Sequence, residues 1–418
     1  MAMGTITGLD RLEREEFRGL YGQTIGVLCN QASVTRSFVH LIDRLLPYHQ
    51  SGALKIGAVI GPQHGLFGHT QDNMIEWEGH VDARTGLTVH SLYGQRREPT
   101  REMLCGLDRL VIDIQDVGSR YYTFAWTMAH CLRTCSAAGI PVTVLDRPNP
   151  IGGTQVEGPV LEPGFESFVG LYPLPIRTGM TLGEVATYVQ QRFVPSVELD
   201  VVRLEGWSRE EYQEETGVPW TIPSPNMPTV DTAVVYPGGC LIEGTNLSEG
   251  RGTTRPFEIV GAPFLDGWRL ADALNGENLP GVVFRPMQIQ PTFNKHVGRL
   301  CEGVFVHVTD RHVFEPVLSY VAIIRAAIAQ TGVHWVPEDV AQDERFVASA
   351  VECDLGGFAW KRPPYEYEAL KMPIDILAGN DWLRAECERQ TPLAELRERF
   401  QASCEAFEPT RSAALLYS

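Results

Sequence analysis

Short apolar runs recur along the first half of the chain, each closed by a polar turn and followed by an amphipathic stretch. They are Thr24-Ile25-Gly26-Val27-Leu28-Cys29, Lys55-Ile56-Gly57-Ala58-Val59-Ile60, Leu87 to Leu92, Leu110 to Ile114 and Pro141 to Leu145. Short uninterrupted runs of this kind, rich in Val, Ile and Leu, read as strands buried on both faces. Helical candidates lie between them at Ser37 to Leu46, Thr100 to Leu107 and Phe124 to Ala138. Strands alternating with helices predict βαβ units and a parallel sheet. Thr181 and Glu184 have the spacing of a capping box, which opens a helix to Arg192 and leads to a further strand, Leu199 to Leu204.

In such sheets ligands collect beyond the carboxyl ends of the strands. The turns at those ends are Asn30-Gln31, Gln63-His64, Tyr93-Gly94, Gln115-Asp116 and Asp146-Arg147-Pro148-Asn149. Successive strands all ending in hydrogen-bonding residues make a stronger signal than any one turn. Thr221 to Pro228 is proline-rich and predicts an extended linker or a rigid loop. Beyond it the alternation weakens. Val282 to Arg285 and Gly303 to Val308 look like strands, and Pro316 to Thr331 and Pro392 to Phe407 look helical. The pattern therefore predicts an α/β chain of two domains: 1–225 with the parallel sheet, and 226–418 as a mixed α+β domain.

Composition narrows the function. At 418 residues the chain is too long for one small core, and its 44% hydrophobic and 21% charged residues are ordinary for a globular protein. A net charge of −17 opposes a nucleic-acid partner and an anionic membrane surface. No apolar stretch approaches the ~20 residues of a membrane span. No basic segment followed by an apolar run opens the sequence, so no signal peptide is visible and a cytoplasmic location is expected. The nine cysteines are odd in number and scattered, which fits buried thiols rather than a disulfide framework. Cys131 and Cys135 share a helix face but have no Cys/His pair nearby to complete a zinc site.

Familiar motifs are missing. There is no Gly-x-Gly-x-x-Gly after the first strand, no phosphate loop, no Gly-x-Ser-x-Gly elbow and no His-Glu-x-x-His. No cofactor and no metal are expected. What stands out is carboxylates, amides and arginines in glycine-rich turns. Asp116 follows a strand end and precedes Arg120, Tyr121 and Tyr122; it reads either as a site acid or as the cap of a helix from Tyr121 to His130. Asp146 and Arg147 read as site residues or as an ion pair locking a turn. The loop from Leu241 to Thr254 gathers Glu243, Asn246, Glu249 and Arg251 among glycines, where backbone can approach a ligand and a guanidinium can grip an anion. Asp72, Glu76 and Glu78 surround Trp77. That grouping suits a sugar site, with an aromatic face for the ring and acids for the glycosidic bond; the plainer reading is a solvated acidic loop around a semi-buried Trp.

These segments together resemble the exo-β-N-acetylmuramidase family of bacterial cell-wall recycling. The resemblance rests on Asn30-Gln31, Gly61-Pro62-Gln63-His64-Gly65, Ser91-Leu92-Tyr93-Gly94, Asp113-Ile114-Gln115-Asp116-Val117-Gly118 with Arg120-Tyr121-Tyr122, and Leu145 to Pro150. It continues through Ser224-Pro225-Asn226-Met227-Pro228, Glu243 to Asn246, Arg251-Gly252-Thr253, Pro291-Thr292-Phe293 and Pro373-Ile374-Asp375. It implies a Rossmann-like N-terminal domain, a smaller C-terminal domain and a cleft between them. It also implies removal of a terminal N-acetylmuramic acid, a small amino-sugar substrate whose lactyl carboxylate gives Arg120 or Arg251 a task. A homodimer is compatible with the resemblance.

One position departs from the family. The turn after the second strand usually reads Gly-Pro-Glu-His-Gly, its glutamate being the leading catalytic candidate, and here that residue is Gln63. An amide neither gives nor takes a proton at neutral pH. A smaller departure is Thr178, where histidine is common. The acid role is therefore expected on Glu76, Asp116 or Asp72. Substrate binding is expected from Asn30, Gln63, His64, Arg120, Tyr122, Asn226, Glu243, Asn246, Glu249 and Arg251. The alternative is a muropeptide- or sugar-binding protein without catalysis. A third reading is a nucleotide or phosphate binder using Gly250-Arg251-Gly252.

Overall fold

A computed structural model describes residues 4–71, 75–335 and 355–418. Seven strands form one sheet: β1 (Thr24–Cys29), β2 (Lys55–Gly61), β3 (His80–Val81), β4 (Thr88–Ser91), β5 (Arg109–Asp113), β6 (Val142–Leu145) and β7 (Leu199–Val202). Their order is β3-β4-β2-β1-β5-β6-β7, and every pairing is parallel except that of the short β3 with β4. Leaving β3 aside, this is the 3-2-1-4-5-6 order of a doubly wound sheet. The order reverses between β1 and β5, so the crevice beyond Cys29, Gly61 and Asp113 is where such a fold binds ligands.

The apolar runs became the inner strands because both their faces are covered. Ile25, Val27, Leu28 and Cys29 of β1 are all fully buried, and the helices Phe124–Ala138 and Leu182–Arg192 pack beside each other. The capping box forms as predicted, with Thr181 Oγ1 accepting from Glu184 N at 3.2 Å and Glu184 Oε2 accepting from Thr181 N at 3.0 Å. Two local readings change. Asp116 caps no helix: its Oδ2 accepts from Gly118 N at 2.7 Å, in a turn where Gly118 has φ 72°. Arg147 pairs with Asp113 rather than Asp146, through Nε–Oδ1 at 2.6 Å and Nη2–Oδ2 at 2.9 Å. Asp146 instead accepts from Thr181 Oγ1, Gly183 N and Tyr417 Oη at 2.6–2.8 Å, which fastens the end of the chain to the sheet.

Past residue 230 an antiparallel sheet forms from β8 (Ile259–Ala262), β9 (Val282–Ile289) and β10 (Cys301–Val308), in the order β8-β10-β9. The helix Pro316–Thr331 packs against Val230–Gly239 and Gly267–Gly276. One apolar cluster runs without a break from Leu28 and Ile112 to Val304, Val321 and Leu377. The proline-rich segment is a rigid loop, because the Pro223 carbonyl accepts from Asn30 Nδ2 at 3.1 Å and Gln31 Nε2 at 2.8 Å. Among the described residues no helix is long and apolar enough to cross a membrane.

Candidate active site

A narrow pocket lies beyond the carboxyl ends of β2 and β5, with ≈ 500 Å³ of empty space including the solvent at its mouth. Its first wall begins at Gly61. A Cβ there would stand 2.8 Å from the ring of Trp77, so glycine lets the indole sit directly beneath the turn. Trp77 is buried and donates Nε1 to the Pro62 carbonyl at 3.0 Å. It is a prop under the turn and does not line this pocket. His64 has left-handed backbone, φ 70°, and its Nδ1 lies 2.9 Å from the Thr70 carbonyl. Gln63 Oε1 accepts from Thr123 Oγ1 at 2.7 Å. Thr123 occupies the N-cap position of helix Phe124–Ala138, yet its side chain makes no bond to that helix; the hydroxyl goes to Gln63 instead. Tyr122 packs edge-on against Phe124 and Tyr236, with ring centroids at 4.7 and 5.8 Å.

The opposite wall carries charge. The 3-10 turn Cys240–Gly244 presents Glu243, which accepts from Arg251 Nη2 and Tyr365 Oη, both at 2.8 Å. Arg251 Nε lies 3.1 Å from Glu249 Oε1, and Lys295 Nζ lies 2.9 Å from Glu249 Oε2. Signs alternate along Glu243, Arg251, Glu249 and Lys295, which is what lets four ionisable groups share a buried place. Burial works against the Arg251 charge, but Glu243 and Glu249 outweigh it and raise the guanidinium pKa. Burial likewise opposes ionisation of Glu249, and Lys295 with Arg251 overrides it, leaving that carboxyl below its ordinary value. Arg251 Nη1 is buried and has no hydrogen-bond partner.

Glu366 completes this wall. It is 6% exposed and lines the pocket, and Tyr93 Oη donates to its carboxylate at 3.2 Å. Burial, then the charge of Glu243, push its carboxyl up to about 7 against the opposing pull of Tyr93, Arg97 and Lys361. Glu366 and Tyr367 both take left-handed backbone, φ 43° and 69°. For residues other than glycine that costs on the order of 1–3 kcal/mol each, and such strain concentrates at functional sites.

Of the residues named from sequence, Gln63, His64, Tyr122, Asn226, Glu243 and Arg251 line this pocket together. The others stand elsewhere. Asn30 is fully buried, its amide tying Pro223 to Ala32 N. Arg120 is buried against four carbonyls, those of Pro159, Leu174, Leu377 and Ala378, each at 2.8 Å. Burial without a counter-ion lowers its pKa to about 10; it is a clip between segments and has no face for a substrate carboxylate. Asn246 bridges Gly357 O and Ala359 N at 2.8 Å. Glu249 stands behind Arg251. Glu76 lies outside the pocket, 45% exposed, between Arg97 Nη2 at 3.4 Å and Tyr367 Oη at 2.7 Å. Asp116 is raised to about 7 by burial, with one oxygen unpartnered, but it does not line the pocket. Asp72 falls outside the described residues. Glu366 is absent from the expectations, although an acid between Tyr365 and Tyr367 carries the same signal as Glu76 and Glu78 around Trp77. Among the described residues no group of three or more His, Cys, Asp or Glu could hold a metal ion.

Comparison with known proteins accounts for nearly the whole chain. Residues 25–231 match the family model of the N-terminal part of exo-β-N-acetylmuramidase NamZ, and residues 234–417 match that of its C-terminal part. The chain belongs to the NamZ family. Among NamZ relatives, the peptidoglycan β-N-acetylmuramidase NamZ of Bacillus subtilis (strain 168) is 40% identical over 98% of this chain and 91% of its own length. The crystal structures of two DUF1343 family proteins of Bacteroides fragilis NCTC 9343 share the fold. One has a TM-score of 0.83 at 28% identity, with both chains fully covered; the other has 0.69 at 25% identity over 99% of each. The pocket thus joins residues matched by the two halves of the NamZ family: neutral groups from the first and charged ones from the second.

Proposed function

We propose that this chain is a glycosidase releasing a terminal N-acetylmuramic acid from peptidoglycan-derived glycans, with Glu366 as its proton donor. Family membership and the β-N-acetylmuramidase activity for which the Bacillus relative is named support the reaction. The observation that carries the assignment is Glu366 itself, a buried carboxyl raised to about 7 inside the pocket. Near neutral pH such a group still holds a proton for the glycosidic oxygen, and its conjugate base can take one back from water. Glu243, held between Arg251 and Tyr365, places negative charge where an oxocarbenium-like transition state develops positive charge. The unpartnered Nη1 of Arg251 suits the lactyl carboxylate, where a charge-assisted hydrogen bond forms without displacing an existing one. Gln63, oriented by Thr123, offers an amide to the substrate and no proton.

The same reading divides the chain at residue 225 into a Rossmann-like first part and a second part with the cleft between them, and the parallel strand order of the first part supports it. Buried thiols such as Cys29, Cys131 and Cys135 fit a reducing compartment. The test is release of N-acetylmuramic acid from chromogenic muramides and a muramyl disaccharide between pH 4 and 8, a range spanning ordinary and raised carboxyl values. Turnover by the wild type, lost in Glu366→Gln with substrate binding kept, is the expected result. Gln63 favours a second reading, a sugar-binding protein without catalysis; tight binding with no wild-type turnover would establish it in place of the first.

A further inference from the structure

Beside Glu366 stands an exposed aromatic that the pocket does not use. Tyr367 is 60% exposed, yet it is held firmly. Its hydroxyl donates to Glu76 Oε1 at 2.7 Å. The Arg97 guanidinium lies 4.3 Å from its ring centroid and 4.0 Å from that of the buried Tyr93. Arg97 in turn reaches Glu76 at 3.4 Å. At Glu76 an open basin of mixed character begins, with ≈ 940 Å³ of empty space including the solvent at its mouth, lined by Glu76, Trp77, Glu78, His90, Arg96 and Met103 among others. Fixing a surface tyrosine in left-handed backbone costs conformational freedom, and burial of its own ring does not offset that cost.

We infer that Tyr367 and this basin form the subsite for the leaving sugar, the part of the glycan that departs with the oxygen Glu366 protonates. The inference rests on the reading of Glu366 as the acid. A proton donor must lie within hydrogen-bond reach of the glycosidic oxygen, so the residue beside it on the outward side meets the ring attached to that oxygen. A sugar ring presents C–H groups on its faces, and these pack on an aromatic plane. Arg97 covers the Tyr367 ring from one side, and the residue as a whole stays 60% exposed, which leaves ring surface for a ligand. The ring is ordered before binding, so little side-chain entropy is lost when the sugar arrives. Hydroxyl and amide groups of the leaving sugar and its extension then meet the polar side chains of the basin, Glu78, His90 and Arg96 among them. Glu76 and Arg97 act through Tyr367 as positioning residues.

Full-length Tyr367→Ala and Tyr367→Phe, assayed on two substrates, test this. One substrate is a β-1,4-linked N-acetylmuramyl disaccharide; the other is an aryl N-acetylmuramide whose activated phenol leaves without help from a sugar subsite. Tyr367→Ala should lower kcat/KM on the disaccharide about tenfold, the scale of a lost aromatic contact, chiefly through KM, and change the aryl muramide less than about threefold. Tyr367→Phe keeps the ring and should stay near wild type on both. A loss on the disaccharide that falls mainly on kcat and shifts the alkaline limb of its pH profile would make Tyr367 a brace for Glu366 and overturn the subsite, as would equal losses on both substrates or no loss on either. A wild type inert towards both substrates would remove the glycosidase reading itself, and the subsite with it.

Discussion

The two walls of the pocket differ in kind. The wall built at the ends of the parallel strands presents Gln63, His64, Tyr122 and Thr123, which are hydrogen-bonding groups with little capacity to move a proton at neutral pH apart from the imidazole. The wall built by the later part of the chain presents Glu243, Arg251 and Glu366. The first is pinned by short-range turns and a helix start, and the second by a buried relay of ion pairs and a strained turn. The difference implies a division of labour in which one wall orients the sugar and the other handles charge. With an amide at position 63, the proposed proton donor, Glu366, stands on the second wall.

The sharpest way to break that division is Glu366→Gln. The expected loss in kcat is about 10²–10⁴-fold, the usual contribution of a general acid. Because Glu366 sits at about 7, wild-type kcat/KM should be sustained below that pH and fall above it as the acid deprotonates. The same group affects stability with a definite sign. Its carboxyl is raised from 4.5 in the folded state, so its contribution to stability is fully present below pH 4.5 and is lost as pH rises through 7. Glu366→Gln should flatten that decline in urea unfolding measured at several pH values. The decline should not vanish, since Asp116 and Glu157 are also raised to about 7. An active Glu366→Gln enzyme with an unchanged alkaline limb would move the acid to another residue.

Next in size is Arg251. Arg251→Met removes the proposed carboxylate anchor, and loss of a charge-assisted hydrogen bond of about 1.5–3 kcal/mol should raise KM for a muramyl substrate on the order of 10–100-fold. It also leaves Glu243 and Glu249 short of a buried cation, for which about 3–5 kcal/mol of lost stability is expected in chemical denaturation. Arg251→Lys separates the two effects: charge is retained while the planar fork is lost. It should stay folded and lose discrimination between muramyl and uncharged amino-sugar substrates. Unchanged discrimination would take the carboxylate away from this wall.

The two walls were also unequally legible. Strands buried on both faces are continuous apolar runs, so the inner strands of the parallel sheet and the polar turns at their ends follow from pattern alone. Gln63, His64 and Tyr122 came from those turns, and Glu243 and Arg251 from one glycine-rich loop. Asn30 and Arg120 show the limit of such reasoning: a polar residue at a strand end looks the same whether it meets a ligand or ties loops together. β9 runs on to Ile289 through Pro286, which an edge strand tolerates because it needs fewer donors; β8 is four residues long with a glycine inside. Glu366 carried only the weak signal of an acid between two aromatics, and what sets it apart has a physical reason. Its hydrogen-bond partner Tyr93 lies 273 residues away, and its raised pKa exists only once the chain has closed over it.

Gln63→Glu tests the neutral wall. Thr123 Oγ1 can donate to a carboxylate as well as to an amide, so the fold should be kept. A second anion in the pocket should push the Glu366 carboxyl further up and move the alkaline limb of the pH profile upward, with kcat changed less than about tenfold. A wild type without turnover, made active by this one substitution, would end the division of labour, because the first wall would then supply the missing proton carrier.

The finest probe is Thr123→Val, which keeps the shape of the side chain and removes one donor. The helix starting at Phe124 should not suffer, since the Thr123 side chain makes no bond to it. What is lost is the 2.7 Å bond to Gln63 Oε1, worth about 1 kcal/mol. The amide is then free to turn, and a substrate group it holds is bound less well. If the first wall only orients, that loss is felt equally in the ground state and the transition state, so KM should rise a few-fold while kcat stays put. A fall in kcat on the scale of Glu366→Gln would mean that Gln63 takes part in the chemical step itself, and a change in neither constant would mean that the turn after β2 does not touch the sugar.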